Sequence, residues 1–165
     1  MVQATDGDFY GTTYGGGANG PGTIFKITAG GTLTTLYSFC GQYACGDGES
    51  PYAGLIQDTN GDLYGTASAG GAVGYGAVFN LSVSLGPFVK TLPHLGEVGK
   101  FVEILGTNLT GATGVAFNGT VAVFTVNSSG TAISTTVPAA ATTGTVQVVT
   151  PTGSLSSNAA FRVLP

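Results

Sequence analysis

Two cysteines, a set of carboxylates gathered around glycine turns, and a glycine-rich loop carry most of the reactive potential of this 165-residue chain. Cys40 and Cys45 bracket Gly41-Gln42-Tyr43-Ala44, close enough to pair. Closing so short a loop contributes roughly 2 kcal/mol in the chain-entropy model. Two free thiols are the alternative, and a zinc site would need further ligands where His94 is the only histidine. Asp6-Gly7-Asp8, Asp47-Gly48-Glu49 and Asn60-Gly61-Asp62 offer oxygens to calcium. None has the spacing of a complete calcium loop, and hairpin turns account for them better. Gly15-x-Gly17-x-x-Gly20 satisfies the dinucleotide fingerprint, but that motif needs a helix to follow it, and Thr23–Ile27 reads as a strand. Among seven tyrosines able to stack on sugars, Tyr43 and Tyr75 sit in loops and are the candidates for ligand contact. A lone His94, a single Arg162 and carboxylates in turns supply no nucleophile–base pair. The expectation is a protein that is not an enzyme, with no cofactor and no metal.

The elements that position these groups come as a repeat. Residues 2–28 and 56–82 align without a gap at an offset of 54, with 13 identities in 27 positions. Gln3, Thr5, Gly7-Asp8, Tyr10-Gly11-Thr12, Gly16-Gly17-Ala18, Gly20, Gly22 and Phe25 all recur. A fixed period of this size marks units that cannot bury their apolar faces without a neighbour. Each copy reads as an apolar segment, a turn at Asp6-Gly7 or Asn60-Gly61, a strand, a glycine loop and another strand. Asp-Gly and Asn-Gly predict a type I′ hairpin. In the first copy Gly30-Gly31 leads to a fourth strand over residues 33–39, which gives four antiparallel strands per period, the size of a propeller blade. The second copy runs into Pro87 without a fourth strand, so an incomplete array with an unpaired edge is expected. Because residues 1–3 already align inside a repeat, the chain reads as part of a longer protein, with other domains of that parent as partners.

Asp6-Gly7-Asp8-Phe9-Tyr10-Gly11-Thr12-Thr13 and Gly22-Thr23-Ile24-Phe25-Lys26-Ile27-Thr28 resemble the bacterial GloVer tandem repeats. Tyr37-Ser38-Phe39-Cys40, with Cys45 and Asp47-Gly48, is similar to that family's inter-repeat loop. The resemblance implies export, often with surface anchoring, and no defined biochemical activity.

After residue 86 the pattern changes. Apolar alternation over residues 88–92, 101–106, 114–118, 122–126, 132–137, 145–150 and 160–164 predicts seven short strands. With both cysteines elsewhere and no tryptophan, these suggest an immunoglobulin-like sandwich lacking the cysteine–tryptophan core. Gly106-Thr107-Asn108-Leu109-Thr110-Gly111-Ala112-Thr113, residues 115–120, Val137-Pro138 and residues 141–153 resemble an IPT/TIG domain. In bacteria that resemblance implies a non-catalytic spacer or binding module.

The fold class expected is thus all-β: propeller-like repeats over residues 1–86 and a sandwich over 87–165. Charged residues make up only 7%, with a net charge of −4. The first part holds six acids against Lys26 (−5), and the second holds Lys90, Lys100 and Arg162 against Glu97 and Glu103 (+1). No basic stripe exists for counterion-release binding, so nucleic acid is not an expected partner. No apolar run approaches the roughly 20 residues of a membrane span. Paired cysteines and low charge point to an oxidising compartment, and with the repeats to a bacterial extracellular or cell-surface location. Two functions are in view: a structural or adhesive module of an exported protein, and a carbohydrate-binding accessory region of a secreted polysaccharide-degrading enzyme. Self-association through the open strand edge, or binding of surface glycan, is the expected partnership.

Overall fold

The computed structural model describes residues 1–165. It is all-β: there is no α-helix, and several antiparallel sheets are present, none closed into a barrel. Two compact units divide the chain, Met1–Leu85 and Gly86–Pro165.

In the first unit, β1 (Val2–Gln3), β2 (Phe9–Thr13), β3 (Thr23–Ile27) and β4 (Leu33–Ser38) form a meander in sequence order. A 3-10 turn over Tyr43–Cys45 precedes β5 (Glu49–Pro51), β6 (Ile56–Gln57), β7 (Leu63–Ala69) and β8 (Ala77–Leu81). In this second sheet β5, β6 and β8 all pair with β7, and β8 has no other neighbour. Glu49, expected in an acidic turn, instead opens β5.

The hairpins joining β1 to β2 and β6 to β7 are not type I′. Gly7 N–H donates to the Ala4 carbonyl and Ala4 N–H to the Asp8 carbonyl, both at 2.9 Å. Gly7 has φ +85°, whereas Thr5 and Asp6 stay out of the left-handed region. The connection is therefore a tight turn closed by a left-handed glycine, a three-residue loop rather than a two-residue one. The second copy repeats it, with Gly61 N–H on the Asp58 carbonyl at 3.0 Å. In both copies the one positive φ of the loop falls on the glycine, which has no Cβ to oppose it, and Thr5, Asp6, Thr59 and Asn60 stay out of that region.

Strand alternation gives each sheet two faces. Register places Val2, Tyr10, Thr12, Ile24, Lys26 and Tyr37 on one face of the first sheet. The same rule places Leu63, Gly65, Ala67, Ala77, Phe79 and Leu81 on the opposite kind of face of the second. These two faces meet: Tyr10, Ile24, Leu63 and Ala67 belong to one buried cluster, joined by Ala4, Phe39 and Leu55. Phe39 and Phe79 pack edge to face with centroids 5.0 Å apart. Gly65 permits the fit, because a Cβ there would sit 2.5 Å from Phe79 Cζ. Polar bonds add to it: Gln57 Nε2 donates to Thr5 Oγ1, Thr5 N–H donates to Gln57 Oε1, and Thr12 Oγ1 donates to the Ala53 carbonyl, each at 3.1 Å.

The second unit contains β9 (Lys90–Leu92), β10 (Leu95–Glu97), β11 (Phe101–Leu105), β12 (Gly114–Phe117) and β13 (Thr120–Val121). It continues with β14 (Phe124–Val126), β15 (Ala132–Thr136), β16 (Val146–Thr150), β17 (Gly153–Ser156) and β18 (Arg162–Leu164). Two four-stranded antiparallel sheets, ordered β14-β15-β11-β9 and β13-β12-β16-β17, share one core. Val102, Ile104 and Ile133 come from the first sheet, and Val115, Phe117, Val146, Val148 and Leu155 from the second. Phe161 closes the core edge to face against Phe117 at 5.1 Å. The short strands β13, β17 and β10, the last pairing in parallel with β18, lie outside the seven expected from alternation.

Counting 54 residues on from β4 gives residues 87–92. Phe88 and Val89 are buried, Val89 in the core of the second unit, and β9 pairs with β11. The stretch that would be the second copy's fourth strand is part of a different sheet.

Candidate interaction surface

The loop between the two copies is closed by a Cys40–Cys45 disulfide. Cys40, Ala44, Cys45 and Ser50 all hold left-handed backbone conformations, with φ between +52° and +63°. Each such non-glycine residue costs of order 1–3 kcal/mol, so the surroundings must fix the loop firmly. Asp47 does much of this. Its carboxylate accepts the Tyr37 hydroxyl at 2.6 Å and the N–H groups of Gly41 and Gln42 at 3.1 and 3.3 Å. Burial opposes ionisation of Asp47, but the Tyr37 hydroxyl and the backbone N–H groups outweigh it and hold the carboxyl below the usual range. The same hydrogen bond, with burial and the Asp47 charge, pushes Tyr37 up to about 12. Cys45 also accepts the Gly71 N–H at 2.9 Å, tying this loop to the one between β7 and β8.

The other acidic residues serve their own turns. Asp6 accepts the Asp8 N–H at 3.1 Å and the Tyr10 hydroxyl at 2.9 Å, and Asp8 pairs with Lys26 at 2.6 Å. Burial first, then the Asp6 bond and the two nearby carboxylates, push the Tyr10 hydroxyl well up, and the Asp8 contact raises Lys26. Asn60 accepts the Asp62 N–H at 2.9 Å. The closest grouping of metal-type ligands is Cys40, Cys45 and Glu49, within 4.8 Å of one another. Its sulfurs are bonded to each other, so neither is a thiolate able to ligate. The glycines at 15–20 form the loop between β2 and β3, with Gly16 N–H on the Gly20 carbonyl at 2.7 Å, and a strand follows rather than a helix.

Tyr43 is 98% exposed in the 3-10 turn and Tyr75 is 92% exposed in the loop before β8. Their loops meet through the Cys45–Gly71 bond, but their rings form no pair. Instead Tyr14 and Tyr52, both exposed, lie edge to face with centroids 6.3 Å apart. Sequence reading missed this pair because its two members stand at different points of the repeat period, so no motif links them.

The far side of the second sheet is open to solvent. Ile56, Tyr64, Thr66, Val78 and Asn80 share that face by register. Val78 is 79% exposed and Ile56 64% exposed, whereas Ile24, the residue matching Val78, is only 2% exposed. An apolar hollow of about 260 Å³ lies there, lined by Ala53, Gly54, Ile56, Tyr64 and Val78 among others. A second groove of about 330 Å³ follows the open edge of β8, between Ala77–Leu81 and Ile24, Tyr37 and Phe39.

No helix is long and apolar enough to cross a membrane. No curated protein matches the chain. The model of one family, described as the Gloeobacter/Verrucomicrobia repeat, matches residues 1–151, which takes in both copies and most of the second unit. With stacked copies at one fixed period and a match over most of its length, the chain belongs to the Gloeobacter/Verrucomicrobia repeat family.

Proposed function

We propose that this chain is a non-catalytic structural and binding module of a bacterial exported protein, working outside the cell or at its surface. Propeller-type repeat sheets build its first part, and an IPT/TIG-like immunoglobulin sandwich forms its second. The observation that carries the reading is the disulfide-closed loop between the copies, since such bonds persist in oxidising compartments. The engagement of Asp6, Asp8, Asp47 and Asn60 in turns supports a structural use of these polar groups. The sandwich assignment draws on the strand orders β9-β11-β15-β14 and β13-β12-β16-β17 around a core without cysteine or tryptophan.

The test is to produce the chain in a bacterial periplasm and in a reducing cytoplasm, then compare thiol content and unfolding. Periplasmic protein with titratable thiols, or equal stability from both sources, would defeat the export reading. Hydrolysis of any polysaccharide by the purified chain would defeat the non-catalytic one.

A second reading, a carbohydrate-binding accessory region of a secreted enzyme, is favoured by the exposed Tyr14–Tyr52 pair. Aromatic faces of this kind suit sugar rings. A glycan array separates the two readings: strong binding to one polysaccharide, lost in Tyr14→Ala and Tyr52→Ala, favours the accessory region.

A further inference from the structure

The two repeat sheets bury unlike faces against each other, which leaves one face of each kind uncovered. On the first sheet the uncovered face carries Gln3, Phe9, Phe25 and Ile27, with the exposed Met1 beside Gly11. On the second sheet it carries Ile56, Tyr64, Thr66, Val78 and Asn80. At the offset of 54 these are the matches of Val2, Tyr10, Thr12, Ile24 and Lys26, the face that the first sheet buries inside the molecule. Likewise Gln3, Phe9, Phe25 and Ile27 match Gln57, Leu63, Phe79 and Leu81, the face that covers it.

We propose that the exposed face of the second sheet binds the exposed face of the first sheet of another copy of this chain, repeating between molecules the packing already made within one. The occupant follows from the internal interface: the side chains that cover Tyr10 and Ile24 have their counterparts on the free side of the first sheet. Phe9 stands where Leu63 stands, Phe25 where Phe79 stands, and Met1 where Leu55 stands. Gly11 and Gly65 are alike as well, each with a phenylalanine ring over the position a Cβ would take. The Asp8–Lys26 pair lies with Tyr10 on the enclosed side of the first sheet, so it does not guard the free face that carries Phe9. The contact joins two different surfaces, so it is heterologous and does not stop at a dimer unless the copies close into a ring. This inference uses the repeat nature of the chain, and it is indifferent to export.

Two single variants and their mixture test it, with folding checked by circular dichroism. Val78→Glu spoils one face and Phe9→Glu the other, and both positions are at the surface, so each variant is expected to fold. Sedimentation velocity on the wild type should show mass rising with concentration beyond a dimer. Each variant alone should associate at least about tenfold more weakly, because a buried unpaired carboxylate opposes contact. An equimolar mixture should form one dimer and nothing larger, as each variant keeps the face the other lacks. A strictly monomeric wild type overturns the proposal. So does self-association of either variant alone, which would mean like faces pair. Association that persists in the mixture beyond a dimer, or in the Val78→Glu, Phe9→Glu double variant, would place the contact at the β8 edge and overturn it too.

Discussion

The two copies of the repeat differ less in sequence than in what surrounds them. Ile24 and Val78 occupy the same strand position, with similar side chains, yet one is enclosed and the other stands in solvent. Tyr10 is buried with its hydroxyl on Asp6, while Tyr64 is half-buried and the residue matching Asp6 is Asn60. Strand β3 has neighbours on both sides, and β8 has one. Position in the stack, rather than residue type, decides which apolar side chain contributes to the core.

Substitution at matched positions is the most direct way to break this comparison. All seven tyrosines lie in the first unit and the chain has no tryptophan, so tyrosine emission reports on that unit alone. Ile24→Ala should destabilise it by about 3 kcal/mol, the usual penalty for truncating an enclosed aliphatic side chain, measured as a lower urea midpoint. Loss of the disulfide, in the Cys40→Ser, Cys45→Ser variant, should lower stability by about 2 kcal/mol. Asp47→Asn should cost about 1 kcal/mol, since a neutral amide accepts the Tyr37 hydroxyl and two N–H groups less strongly. Val78→Ala should change the monomer by less than about 0.5 kcal/mol, as surface substitutions do. If Val78→Ala proved as damaging as Ile24→Ala, the contrast between the copies would collapse.

Acid and alkali sharpen the same picture. Asp47 has a folded-state pKa below its ordinary value, so its contribution is present above that ordinary value and fades as pH falls through the folded one. The urea midpoint of the wild type should therefore drop below about pH 4, and that of Asp47→Asn should drop less. Tyr37 is raised to about 12 and Tyr10 is also raised, so their contribution is complete below pH 10 and disappears above it. Ultraviolet titration should show two tyrosines ionising late, and stability falling as pH climbs past about 10.

Much of the architecture was legible beforehand because the repeat compares the chain with itself. The 54-residue period located both sheets, and the loss of alternation after Leu81 marked where the second lacks a strand. Turn type was misread because Asp-Gly and Asn-Gly signal a hairpin but not its length, and Thr5 and Thr59 belong to the loop as well. Strand β5 was hidden inside a stretch read as a turn, since Glu49-Ser50-Pro51 has no apolar alternation and pairs only because β7 runs past it. The choice of enclosed face was not legible at all, since both copies carry the same pattern on both faces and only stacking distinguishes them. Tyr43 and Tyr75, the loop tyrosines that the sequence offers for ligand contact, stand exposed. The adjacent pair is Tyr14 and Tyr52.

Residues 87–92 give the boundary between units a practical meaning. A repeat array usually grows or shrinks by whole periods, and here a period counted from the first copy ends inside β9. Deleting 54 residues in that frame would take Val89 out of the neighbouring core and remove the buried Phe88 along with the repeat. A cut that spares that core falls between Leu81 and Gly86, where the chain lies outside the strands and Val83 and Leu85 still pack on the first unit.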